Sequence, residues 1–249
     1  MHIHIYTLFP QMLRDPLGLS ILGRAQVNGL LDVSVHNIRE FTHDTHHTVD
    51  DYPYGGGPGM LMKPEPFFEA VESTLGTTSP GFPVVLLTPQ GDTFTQAIAE
   101  RLATQPAIAL LCGRYQGVDE RIRQHLATEE LSIGDYVLTG GEPAAIVVVD
   151  AVARLLPGAL GSEEAPAADS HASGFLQHPQ YTRPAEFRGW KIPEVLQSGN
   201  HQEVERWRRE ESLRRTFERR PDLLRKARLS ENEQRFLERL GWVRDDTRA

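Results

Sequence analysis

Three glycine-bearing loops carry residue types that let a backbone approach a small ligand closely. They are Thr88-Pro-Gln-Gly-Asp92, Cys112-Gly-Arg-Tyr-Gln-Gly-Val-Asp119 and Ile133-Gly-Asp-Tyr-Val-Leu-Thr-Gly-Gly-Glu142. Glycine adopts φ > 0 and places no Cβ between backbone and ligand. One such loop reads as a turn; three in one chain point to a shared small-molecule pocket. None has the G-x-G-x-x-G dinucleotide fingerprint or the phosphate-cradling G-x-x-x-x-G-K-[ST]. A nucleoside-containing cofactor without a pyrophosphate is therefore expected. A fourth segment, Val49-Asp-Asp-Tyr-Pro-Tyr-Gly-Gly-Gly-Pro-Gly-Met60, is too rich in Gly, Pro and Tyr for regular structure. It reads as a rigid loop able to approach backbone or base, or as a long surface turn. His43, His46 and His47 raise the question of a metal, but no cysteine or closely spaced acid completes a ligand set, so a polar loop and no metal are expected. Cys112 ends an apolar run and reads as a small core residue rather than a nucleophile. It is the single cysteine, so no internal disulfide is possible, and a reducing cytoplasm is the expected compartment.

Positioning these loops requires strands and helices. Strands are predicted at His2–Leu8, Leu31–Val35, Val84–Leu87, Ala107–Leu111 and Tyr136–Leu138. Helices are predicted at Pro16–Asn28, Pro66–Leu75, Thr95–Ala103, Val118–Leu126 and Pro143–Leu155. Pro83-Val-Val-Leu-Leu87 and Ala107-Ile-Ala-Leu-Leu111 barely alternate, as suits strands buried on both faces of a parallel sheet. The pattern is α/β with a mostly parallel sheet, in which ligands bind in loops beyond the carboxyl ends of strands. Pro157–Ser173 is small, polar and rich in Gly, Pro and Ala, and reads as a linker. Beyond it the chain reads as helical. Asn200/Glu203 and Ser230/Glu233 have capping-box spacing, Pro221 breaks an arginine-rich helix, and Gly241 stops the last one. The expected organisation is a domain over 1–160, a flexible linker over 161–173 and a small all-α domain over 174–249.

No apolar run approaches the ~20 residues needed to cross a bilayer, and the alternating N-terminus has no basic leader. The net charge of −8 argues weakly against a nucleic-acid partner, but residues 183–228 hold 13 Lys/Arg against 8 acids, a net +5 that leaves −13 elsewhere. A basic patch on an acidic protein can attract a polyanion locally; the alternative is a solvated helix face.

The strings DDYPYGGGPGM, LLCGRYQGVDERI, SIGDYVLTGGE and HPQYTRPAEFRGWKIPEVLQSGNH resemble the motifs of the bacterial tRNA (guanine-N1)-methyltransferases, the TrmD family of the SPOUT class. The matches run in the family's order from residue 1 to about 225. The resemblance implies an α/β domain with a C-terminal trefoil knot that binds the cofactor. It also implies a homodimer with active sites shared between subunits, and methylation of N1 of guanosine 37 in the tRNA anticodon stem-loop. The implied methyl donor is S-adenosyl-L-methionine, leaving S-adenosyl-L-homocysteine; a Mg2+ requirement is implied without a site. The implied cofactor residues are Pro89, Gln90, Gly113, Tyr115, Gln116, Ile133, Gly134, Tyr136, Leu138, Gly140 and Gly141.

Guanine N1 is protonated at neutral pH, so the reaction needs a general base within hydrogen-bonding reach and a cation for charge developing at O6. The resemblance assigns these roles to Asp169 and Arg154. On a flexible linker, Asp169 would be placed only when tRNA orders it. Arg183, Arg188, His201, Arg208 and Arg215 are tRNA-contact candidates by charge and location. The chain departs from the family pattern at Gln116, where Glu is usual, at Gln177, where an acid is common, at Pro143-Ala144 in place of Leu-Pro, and at His171 in place of Phe. Gln116 keeps an acceptor but lacks charge, which bears on any role in holding a cationic group. Two rival readings share much of this pattern: a methyltransferase of the same fold acting on another RNA, and a catalytically inactive RNA-binding protein.

Overall fold

The computed structural model describes residues 1–161, 169–225 and 227–243. The chain divides into two compact units, Met1–Glu163 and Glu164–Ala249.

The first unit is built on a five-stranded parallel sheet in the order β2-β1-β6-β5-β7. Its strands are β1 (His2–Thr7), β2 (Asp32–Asn37), β5 (Val84–Thr93), β6 (Ala107–Cys112) and β7 (Glu129–Ser132). A short antiparallel pair, β3 (Asp50–Asp51) and β4 (Leu61–Met62), lies apart from it. The helices are α1 (Gln11–Gly18), α2 (Ser20–Val27), α3 (Pro64–Leu75), α4 (Gln96–Ala103), α5 (Glu120–His125) and α6 (Glu142–Ala153).

Strand side chains alternate between two buried faces. Ile3, Ile5, Val85, Leu87, Ile108, Leu110 and Cys112 pack with residues of α1, α2, α4 and α6. Tyr6, Val84, Leu86, Ala109 and Leu111 pack with Phe67, Ala70 and Val71 of α3 and Ile122 of α5. All six residues of β6 are buried, which explains the unbroken apolar run of this central strand.

Two expectations for this unit are corrected. The strand expected at Tyr136–Leu138 is a loop; the edge strand is Glu129–Ser132. Its two glutamates read poorly as a strand, but Arg101 pairs with Glu129 and Arg123 with Glu130, so only Leu131 and Ser132 are buried. The helix expected over Pro16–Asn28 is two helices, because Leu19 is extended and Ser20 has φ +54. The other predicted elements lie within a few residues of observed ones.

The second unit holds α7 (His201–Arg219), α8 (Pro221–Leu224) and α9 (Glu231–Arg239) around Phe175, Leu213, Leu224 and Leu237. Asn200 accepts from the Glu203 amide, Ser230 and Glu233 form a full capping box, and Gly241 takes φ +91 just past α9. The unit is not purely α: β8 (Glu186–Phe187) and β9 (Trp190–Lys191) form an antiparallel hairpin. Arg188 and Gly189 both have positive φ, the backbone of a two-residue type I′ turn. Part of the expected linker, residues 162–168, lies outside the described residues.

Candidate active site

The loops after β6 and β7 and an excursion inside β5 converge on one cavity of about 360 Å³. Leu131 of β7 pairs with both Leu87 and Asp92 of β5, so residues 88–91 bulge out of the strand. Gly91 makes this possible: a Cβ there would sit 2.5 Å from the Glu130 carbonyl carbon and the Leu131 nitrogen. The loop after β6 is fastened on two sides. Arg114 bridges Gly140, and the Gly141 amide donates to the Gly113 carbonyl at 2.9 Å. On the other side, Gln116 and Met60 are joined by a 3.1 Å backbone hydrogen bond, and the Met62 amide donates to Gly117 at 3.0 Å. The Gly/Pro/Tyr-rich segment is thus the connection between β3 and β4, stitched to the second loop. Gly59 lies so close to Gln116 that a Cβ would be 2.8 Å from its Cγ.

All eleven residues expected at a cofactor line this cavity: Pro89, Gln90, Gly113, Tyr115, Gln116, Ile133, Gly134, Tyr136, Leu138, Gly140 and Gly141. The volume is at the lower end of the ~300–1,000 Å³ typical of small-molecule sites. Tyr115 is held at φ +61 and left half-exposed beside the cavity, a conformation that is uncommon for a bulky residue. The Ser132–Tyr136 turn closes on itself: Ser132 Oγ donates to the Gly134 carbonyl at 3.0 Å and Tyr136 Oη donates to the Ile133 carbonyl at 3.2 Å.

Beside the cavity lies a network that sequence reasoning missed. Glu142, in the first turn of α6, is fully buried, accepts from Thr7 Oγ1 at 2.7 Å and pairs with Arg114 Nε at 3.1 Å. The Arg114 guanidinium also lies 4.4 Å from the Phe9 ring centroid. Three elements remote in sequence are thereby tied together at the carboxyl end of the sheet. The only signals were Arg114 and Glu142 inside otherwise glycine-rich strings; nothing marked Thr7. The glycines beside this network are also tightly packed against protein atoms. A Cβ at Gly140 would lie 2.3 Å from Arg114 Nε, and one at Gly141 2.8 Å from Cys112 Cα. Cys112 is a core residue, its thiol pKa pushed up by burial and then by the Glu142 charge.

Arg154 directly follows α6 and is half-buried in the first unit. Asp169 is half-buried in the second unit, next to Ser170, whose Oγ accepts from the Gln177 amide at 2.9 Å. His171 stands at φ +74 in the same turn. Of the tRNA-contact candidates, Arg183, Arg188 and His201 are exposed. Arg208 is exposed and pairs with Glu205, whereas half-buried Arg215 donates to the Gln177 carbonyl at 3.2 Å. His43 pairs with Glu69 and His47 bonds Thr42. Among the described residues no group of three or more His, Cys, Asp or Glu is arranged to hold a metal ion. Also among the described residues, no helix is long and apolar enough to cross a membrane.

The family model described as tRNA (Guanine-1)-methyltransferase TrmD matches residues 1–226. A protein of Dehalococcoides mccartyi named tRNA (guanine-N(1)-)-methyltransferase is 55% identical over 240 residues, covering 96% of this chain and 97% of its own. Proteins of the same name from Geobacillus kaustophilus and Anoxybacillus flavithermus are 56% and 53% identical, over 95% and 99% of this chain and 97% and 100% of their own lengths. With its whole first unit and most of the second inside these matches, the chain belongs to the TrmD family of tRNA (guanine-1)-methyltransferases.

Proposed function

We propose that this chain transfers a methyl group from S-adenosylmethionine to N1 of guanosine 37 in tRNA, next to the anticodon. The observation that carries the reading is the convergence of three glycine loops on one cavity in a chain of this family. The cavity suits the donor by volume and lining. Apolar Leu87, Ile133 and Leu138 flank it, and the loops bring backbone donors and acceptors able to read an adenine edge. When bound, the donor supplies an electrophilic sulfonium methyl group.

The remaining steps fall to the chain. Asp169 removes the N1 proton of the guanine, and Arg154 stabilises the charge that develops towards O6. Reaching N1 requires the base to leave its stack, which costs less in an anticodon loop than in a duplex. Arg183, Arg188 and His201, exposed on the second unit, contact the phosphates and fix the register of the RNA. Threading of the cofactor loops through a trefoil knot belongs to the same reading. So does a homodimer with shared sites. Met12 and Val147, exposed at 41% and 44% on helices of the first unit, and Leu19, exposed at 65% between α1 and α2, support that assembly. The setting is the cytoplasm, where tRNA is modified.

Digestion of methylated tRNA to nucleosides tests the chemistry. N1-methylguanosine is expected; label on another guanine atom or another base contradicts the reading. Asp169→Asn should abolish turnover while leaving donor binding intact, and near-normal turnover removes Asp169 from the role.

A further inference from the structure

The second unit carries an aromatic surface that its own core does not use. Every residue from 180 to 191 is exposed. Within this stretch Trp190 is 70% exposed, Phe187 55% and Tyr181 50%. Single exposed apolar side chains are ordinary, but three aromatics in twelve consecutive exposed residues are not. Phe187 and Trp190 face each other across β8 and β9, with ring centroids 6.2 Å apart. The two-residue turn between them fixes their spacing. The Arg188 guanidinium lies 5.2 Å from the Phe187 ring centroid. An arginine stacked this way keeps its N–H edge available to a phosphate. Lys191 follows Trp190, and Arg183 precedes the hairpin; Glu186 is the single acid between 181 and 191.

We propose that the Phe187–Trp190 hairpin is a stacking platform for an unpaired base of the tRNA substrate, with Arg188 and Lys191 at the flanking phosphates. The proposal rests on the tRNA-methylating function given above and adds a subsite to it. Exposed aromatic faces beside cations are the composition that holds single-stranded nucleic acid. Every base offers a π-face, and every nucleotide brings a negative charge. A protein partner is a poorer match. The hairpin alone is far smaller than the roughly 1,200 Å² a stable interface buries. Trp190 is a positioning residue: it holds an unpaired base rather than the reacting atoms, so its loss acts through affinity and KM.

The test compares Trp190→Ala, Trp190→Phe and Phe187→Ala with the unaltered protein, using full-length unmodified tRNA transcript as the probe. These side chains are exposed, so unchanged thermal unfolding checks that the fold is intact. Trp190→Ala should weaken tRNA binding by about 5- to 150-fold, the range measured for loss of one base–aromatic stack. Trp190→Phe should keep most of the affinity. KM for tRNA should rise with Kd, while kcat at saturating tRNA, donor affinity and oligomeric state stay unchanged. Unchanged tRNA affinity in Trp190→Ala and Phe187→Ala overturns the platform while leaving the methyltransferase reading intact. A shift of the variants' oligomeric state in sedimentation also overturns it, since a second copy would then cover the hairpin. Failure of the unaltered protein to bind tRNA overturns both.

Discussion

Replacing Glu142 with alanine should destabilise the first unit by more than any exposed substitution in it. The Glu142 side chain is fully buried, and its partner Arg114 has 16% of its side-chain surface exposed. Removing the carboxylate leaves a nearly buried guanidinium without its counter-charge and Thr7 Oγ1 without its acceptor. Breaking a buried ion pair from one side costs about 3–5 kcal/mol, because the desolvated partner charge remains. Glu142 also lies in the first turn of α6, where loss of a negative charge costs a further few tenths to about 1 kcal/mol. At roughly 2–4 °C per kcal/mol for a domain of this size, the unfolding midpoint should drop by about 7–24 °C. Calorimetry of the single variants Glu142→Ala and Arg114→Ala and of the double variant supplies the check. The double variant should cost less than the sum of the singles, because it strands no charge. A loss below about 1 kcal/mol in Glu142→Ala, or strict additivity, would refute the buried-pair argument.

Gly141→Ala should cost about 1–3 kcal/mol by overpacking, because its Cβ meets the Cα of a central strand that cannot move aside; chemical denaturation measures it. His4 is 8% exposed, with Nδ1 3.2 Å from His36 Nε2, and burial followed by the His2 and His36 charges lowers its pKa to about 4. Its folded value lies below its unfolded value near 6.5, so its contribution is present above pH 6.5 and is lost as pH falls towards 4. The loss is at most about 3 kcal/mol, and His4→Phe should flatten the pH dependence of the unfolding midpoint over that window. The buried Cys112 thiol should resist alkylation in the native protein and react on unfolding; fast labelling of native protein would contradict its place in the core.

Local chemistry made much of the first unit legible. The unbroken apolar runs of β5 and β6 announced buried parallel strands, and the three glycine loops announced a pocket. What stayed hidden depended on distant partners. Glu129 and Glu130 looked unlike a strand because Arg101 and Arg123, which take up their charge, belong to other elements. Tyr136–Leu138 has strand composition, yet its exposed residues line the cavity. Thr7 and Glu142 are 135 residues apart, a separation no local pattern spans. Gly140 and Gly141 suggested a ligand's close approach; they line the cavity, and a Cβ at either would also meet protein atoms from distant parts of the chain. The hairpin at Phe187–Trp190 was missed because its strands are two residues each, too short for alternation to register. Asp169 had no signal beyond the family resemblance.

The central claim is most directly tested by incubating the protein with labelled S-adenosylmethionine and unmodified tRNA transcripts that differ only at position 37. Label in the guanosine-37 transcript and none in its adenosine-37 counterpart is the predicted result. Equal label in both, or label in neither from folded protein, would contradict it.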